Sequence, residues 1–212
     1  MEYLSYIAAA IGAYLLGSIP TGYLVAKAKG IDIRSVGSGN IGATNVFRIL
    51  GKPAGIFVLV IDGLKGFAAC AWWVDLISGW FPVVLSEQVY LRLIAALAAV
   101  LGHNYTCWLK FKGGKGIATS AGVLAGLVPG ALVIILATWI LLCALTRYVS
   151  VGSIAASFVL PFATWFTKHD WTLTVVTAVM GALAIYKHRT NIQRLLSGTE
   201  SRISFKRKPS TP

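Results

Sequence analysis

Arg34–Arg48, RSVGSGNIGATNVFR, carries Gly37, Gly39 and Gly42 in the spacing G-x-G-x-x-G. As a dinucleotide-binding turn it would put the chain among the doubly wound α/β folds. That turn needs a strand before it, a helix after it and an acidic residue about 20 positions on. The flanks refuse this reading. The segment from Tyr3 is apolar for the length of a membrane span, and another apolar segment begins soon after the loop. The acid nearest the required spacing, Asp62, lies inside that second segment. The apolar segments therefore decide the fold, and the glycine loop connects two of them.

Composition agrees. Of 212 residues, 57% are hydrophobic and 12% charged, with mean hydropathy +0.74. Soluble domains carry about 25% charged residues. A signal peptide does not explain the excess, because apolar blocks recur to residue 187. The Tyr3–Val25 segment lacks a basic start and a small-residue cleavage pattern, so it reads as a retained first span. Cys70, Cys107 and Cys143 are odd in number, fit no metal spacing and read as small apolar residues.

The expected fold is an all-α integral membrane protein of about seven transmembrane helices. The segments are 3–26, 54–76, 88–109, 117–129, 130–146, 149–167 and 170–187, with Pro129-Gly130 forming an outer turn between the fourth and fifth. Of the 19 Lys and Arg residues, all but Lys65, Arg92 and Lys168 then fall on one side. The positive-inside rule makes that side cytoplasmic, with the N-terminus outside and the C-terminus inside. This distribution accounts for most of the net charge of +12 without nucleic acid. Residues 1–205 form one domain in this reading, followed by a basic, disordered tail at 206–212. Asp62 and Lys65, three apart within the second span, share a helical face and can pair.

Four polar stretches interrupt the apolar background: GSIPTG (17–22), the opening stretch, FKGGKG (111–116) and HRTNIQRLLSGTE (188–200). The last three fall on the cytoplasmic side. In the opening stretch, glycines let backbone N–H groups surround an anion. Ser38, Asn40, Thr44 and Asn45 add hydrogen bonds, and Arg34 and Arg48 add guanidinium forks suited to phosphate. FKGGKG is not a nucleotide P-loop, since Leu109 and Gly116 stand where that motif needs glycine and Ser or Thr. Lys112 and Lys115, among Gly113, Gly114 and Gly116, can surround a second anion. His103 at the end of the third span reads as a hydrogen-bonded structural residue. In the third stretch His188, Asn191, Arg194 and Leu195 share one face of a continuing helix.

Several chemistries are excluded. Only Asp32 and Glu200 lie on the cytoplasmic face, which disfavours paired-carboxylate glycoside hydrolysis. No HEXXH, G-x-S-x-G or paired CxxC occurs. The His, four residues, Asp pattern of acyltransferases follows none of the three histidines. A transporter for a phosphorylated solute would show polarity or broken helices at the midplane of several spans. A non-enzymatic anionic-lipid binder would need only polybasic clusters.

Together GSIPTG, GSGNIGATNVFR, FKGGKGIAT and HRTNIQRLLSGTE resemble the bacterial acylphosphate:glycerol-3-phosphate acyltransferases, the PlsY family, in order and over nearly the whole chain. Thr106 departs from the proline usual in relatives. The resemblance implies a multi-pass enzyme of the bacterial inner membrane with its active loops at the cytoplasmic side. It would move a fatty acyl group from acyl phosphate, not acyl-CoA, to the 1-hydroxyl of sn-glycerol 3-phosphate, giving lysophosphatidic acid and phosphate in phospholipid synthesis. Ser38, Arg48, Lys115, His188 and Asn191 would be catalytic. Gly37, Gly39, Asn40, Gly42, Thr44, Asn45, Lys112, Gly113, Gly114, Gly116 and Arg194 would bind substrate, and Glu200 would support the site. No metal or cofactor is implied. Implied partners are the two substrates, membrane lipids and an enzyme that produces acyl phosphate.

Overall fold

The computed structural model describes residues 2–81 and 83–203, so the expected tail at 206–212 lies outside the described residues. Every apolar segment is helical, and no strand occurs among the described residues. The helices are α1 (Glu2–Ser18), α2 (Thr21–Lys27), α3 (Ala43–Leu50), α4 (Lys52–Cys70), α5 (Trp72–Trp80), α6 (Leu85–Asn104), α7 (Ile117–Leu127), α8 (Pro129–Thr146), α9 (Val149–Lys168), α10 (Trp171–Lys187) and α11 (Arg189–Leu196).

The elements differ from the sequence reading at several points, and the second segment breaks at Ala71 between α4 and α5. The first segment breaks at Ile19-Pro20, and the third stops at Asn104, followed by a 3-10 turn at Cys107–Leu109. The connecting loop contains α3, which sequence reading leaves without a helix. This short helix is strongly amphipathic: Val46 is buried, and Ile49 and Leu50 pack with it against Ala26 and Ile33.

By length and composition, Tyr3–Lys27, Lys52–Trp80, Pro129–Thr146 and Val149–Lys168 can each cross a membrane. Ile117–Leu127 and Trp171–Lys187 are shorter apolar helices. At about 1.5 Å per residue, α7 covers only about half of a hydrocarbon core.

The bundle carries apolar side chains outward and polar ones inward, as a bilayer solvent requires. Ile7, Ile11 and Leu15 form an exposed stripe along α1, and Val133, Ile140 and Leu141 stand out from α8. Ser150, Ser153, Ser157 and Thr177 are buried. Close helix approach relies on small residues. On the α4–α7 contact, a Cβ at Gly66 or Gly122 would collide with backbone of the facing helix.

The break in the first segment frees carbonyls that hydrocarbon cannot solvate. Thr106 donates its hydroxyl to the Ser18 carbonyl at 2.5 Å. Lys65 donates to the Ile19 carbonyl at 2.7 Å. The same lysine pairs with Asp62 at 2.8 Å, so the expected i,i+3 pair also fastens the broken helix.

Candidate active site

The glycine loop before α3 is folded around one side chain. Asn45 donates to the carbonyls of Ile33 (3.2 Å) and Val36 (3.1 Å), and its Oδ1 accepts from the Ser38 amide at 2.9 Å. Gly37 has φ +62°, and a Cβ there would strike Asn45 Oδ1. These bonds occupy Asn45, so its amide organises the loop. Arg34 turns outward to pair with Asp32 at 2.7 Å. Ser38, Asn40, Gly42, Thr44, Asn45 and Arg48 line an open cleft of about 130 Å³.

The second loop sits on the end of α6. The amides of Gly113 and Gly114 donate to the carbonyls of Asn104 (3.2 Å) and His103 (3.0 Å). A Cβ at Gly113 would strike the His103 carbonyl. Close seating on α6 thus requires these glycines, and their amides do not face an anion. Lys112 is exposed. Lys115 and Gly116 line the cleft.

The third stretch closes it. At the junction of α10 and α11, His188 Nδ1 lies 2.8 Å from the Ala184 carbonyl. A carbonyl only accepts, so Nδ1 carries the proton and Nε2 holds the lone pair. Lys115 Nζ donates to Asn191 Oδ1. Asn191 Nδ2 donates to Glu200 Oε1 at 2.6 Å. Glu200 also accepts from Ser150 at 2.8 Å and from Arg194 at 2.7 Å. Arg48 donates to the Ser201 carbonyl at 3.1 Å, joining α3 to the segment after α11.

The electrostatics favour anions. Burial pushes Lys115 down to about 8, and Arg194, Arg48 and Lys187 add to the fall while Glu200 opposes it. Burial and neighbouring Lys115 lower His188 to about 4, so it is neutral near pH 7. Burial alone would raise the Glu200 carboxyl, but hydrogen bonds from Asn191, Arg194 and Ser150 hold it below its ordinary value.

All five residues expected to be catalytic, Ser38, Arg48, Lys115, His188 and Asn191, line this cleft. Gly37, Gly39, Lys112, Gly113, Gly114 and Arg194 are not among its lining residues. Sequence reading did not anticipate Asp62, His103, Trp139, Ser150 and Ser153 there. One signal was available: Ser150, Ser153 and Ser157 form an i, i+3, i+7 stripe in an apolar helix.

A family model described as glycerol-3-phosphate acyltransferase matches residues 7–198. The chain belongs to the glycerol-3-phosphate acyltransferase family. The glycerol-3-phosphate acyltransferase of Fusobacterium nucleatum is 45% identical over 193 residues, covering 91% of this chain and 95% of that one. That of Geotalea daltonii is 46% identical over 201 residues, covering 93% and 97%. The crystal structure of PlsY, an integral membrane glycerol 3-phosphate acyltransferase, in its glycerol 3-phosphate form is similar with a TM-score of 0.84 and 40% identity, covering 94% of this chain and 96% of that one. Its lysophosphatidic acid form gives a TM-score of 0.82.

Within this acyltransferase a second cavity, of about 40 Å³, adjoins the cleft. It is mostly apolar, walled by Leu124, Ile135, Leu160 and Met180, and shares Ile117 and Ser153 with the cleft.

Proposed function

We propose that this acyltransferase moves a fatty acyl group from acyl phosphate to the 1-hydroxyl of sn-glycerol 3-phosphate, releasing lysophosphatidic acid and phosphate. The observation that carries this reading is the meeting of Arg48 and Lys115 in a cleft that adjoins an apolar cavity. Two phosphates need cations, and an acyl chain needs hydrocarbon surroundings.

In the mechanism, Arg48 and Lys115 hold the phosphates and offset developing charge. Ser38, the free N–H of Asn191 and backbone amides at the start of α3 orient the acyl carbonyl and stabilise its oxyanion. The 1-hydroxyl oxygen attacks the carbonyl carbon, the bond from that carbon to the phosphate oxygen breaks, and phosphate leaves. The hydroxyl proton goes to the departing phosphate. His188, lowered to about 4, is the weaker base beside a phosphate with its second ionisation at about 6. Positioning supplies much of the rate.

The same reading places seven spans in a bacterial inner membrane, with the N-terminus outside and residues 1–205 as one domain. Arg48 and Lys115 line the cleft, and Arg194 pairs with Glu200 at its wall, which supports a cytoplasmic mouth. Counting α7 as a span is consistent with its recessed start, because Ile117 lines the cleft. An enzyme that makes acyl phosphate is then the functional partner.

The test is a purified-protein assay with radiolabelled glycerol 3-phosphate and acyl phosphate, acyl-CoA or acyl carrier protein as donors. Product from acyl phosphate alone is expected. Product from acyl-CoA or acyl carrier protein, with none from acyl phosphate, overturns the donor assignment.

A further inference from the structure

The mechanism leaves two buried polar residues of the cleft without a task. Asp62 and His103 both line it, and they are 2% and 5% exposed. Asp62 comes from the middle of α4 and His103 from the end of α6. The nearest contacts of the carboxylate fall on Oδ1: Thr21 donates at 3.0 Å, Lys65 pairs at 2.8 Å, and His103 Nδ1 stands off at 3.7 Å. That last distance is too long for a hydrogen bond, and His103 Nδ1 has no partner among the described residues. Both residues face the cleft, where a ligand can add to their hydrogen bonding.

Their chemistry narrows the ligand atom. A carboxylate oxygen accepts only. It repels phosphate and gains nothing from an acyl carbonyl. A hydroxyl can donate to the carboxylate and accept from, or donate to, the imidazole. The acceptor substrate has one hydroxyl that does not react, at carbon 2. Phosphate has its own place among Arg48 and Lys115, and the chain has the apolar cavity.

We propose that Asp62 and His103 form a hydroxyl subsite that binds the 2-hydroxyl of glycerol 3-phosphate through Asp62 Oδ2 and the His103 ring. The proposal rests on the functional reading above for its ligand. Asp62 and His103 position the glycerol unit and take no part in the chemical step. Lys65 and Thr21 fix the carboxylate from behind.

The test compares glycerol 3-phosphate with 3-hydroxypropyl phosphate, which keeps the phosphate and the reacting hydroxyl and lacks only the 2-hydroxyl. Wild-type kcat/KM is expected to be about tenfold or more higher for glycerol 3-phosphate, the scale of a hydrogen bond to a charged group. His103→Leu leaves the Asp62–Lys65 pair in place. Asp62→Asn is made together with Lys65→Met so that no buried cation is left unpaired. Both variants are expected to lose the discrimination while keeping their rate on 3-hydroxypropyl phosphate. An equal fall on both acceptors marks a merely structural role and overturns the proposal. So does a wild type that uses both acceptors equally, whatever the variants do. Equilibrium binding of the two compounds reads the contact without turnover. A protein that discriminates in binding yet transfers no acyl group refutes the acyl-transfer reading and keeps the subsite.

Discussion

Lys115 donates a hydrogen bond to Asn191 across 76 residues of sequence. The bond joins the loop after α6 to the helix after α10. Asn191 in turn donates to Glu200, which also accepts from Ser150 and Arg194. The ammonium at the cleft is thereby held by a chain of amide and carboxylate, and its titration becomes a property of the whole site.

Activity should fall at alkaline pH. Lys115 sits near 8 in the free protein. A bound phosphate favours its protonated form, so below about pH 8 no proton need be gained, and above it each pH unit weakens binding about tenfold. A pH profile of kcat/KM should be flat between the substrate phosphate's second ionisation, about 6, and that point, and then decline with unit slope. His188, near 4, should add no limb between pH 5 and 8.

Glu200→Gln should move that limb. The carboxylate opposes the lowering of Lys115, so removing its charge should carry the alkaline limb below pH 8. It also removes the charged partner of Arg194 and Asn191. Each such bond is worth about 1.5–3 kcal/mol. Thermal unfolding in detergent should show the loss.

Asn45→Ala should lower both stability and rate although no role in contacting substrate is needed. The side chain makes three bonds to its own loop. At about 1 kcal/mol net each, the loop before α3 loosens and Ser38 and Arg48 lose their fixed places. A fall in kcat that substrate saturation does not rescue is the expected kinetic result.

Thr106→Val should separate stability from catalysis. The hydroxyl satisfies the Ser18 carbonyl at the broken first segment. Its loss leaves a buried acceptor unpaired at a cost of about 1–3 kcal/mol. The unfolding midpoint should drop, while kcat per folded molecule should stay close to wild type.

The helical bundle was legible because lipid-facing apolar runs are long and leave a strong signal. Breaks were less so. Pro20 announces the first one, but the partners that satisfy it, Lys65 and Thr106, lie 45 or more positions away in sequence. The amphipathic α3 was hidden because eight residues between glycines carry little periodicity. In the site, charged and amide residues on three stretches could be read, since polar residues stand out in an apolar chain. The use of each glycine could not. Gly113 and Gly114 looked like anion ligands, and the structure spends their amides on α6 carbonyls. His103 looked like a hydrogen-bonded structural residue, and the structure leaves its Nδ1 unpartnered and its side chain on the cleft wall. Such outcomes depend on which backbone lies opposite, and spacing alone does not carry that.

The shared cleft for two phosphorylated reactants is tested most directly by Lys115→Ala. Steady-state rates would be measured with acyl phosphate and radiolabelled glycerol 3-phosphate on protein whose unfolding midpoint is checked. Removing a buried donor at developing charge costs about 10²–10³ in kcat, and that loss is expected here. A maximal rate equal to wild type, in folded protein, contradicts the arrangement.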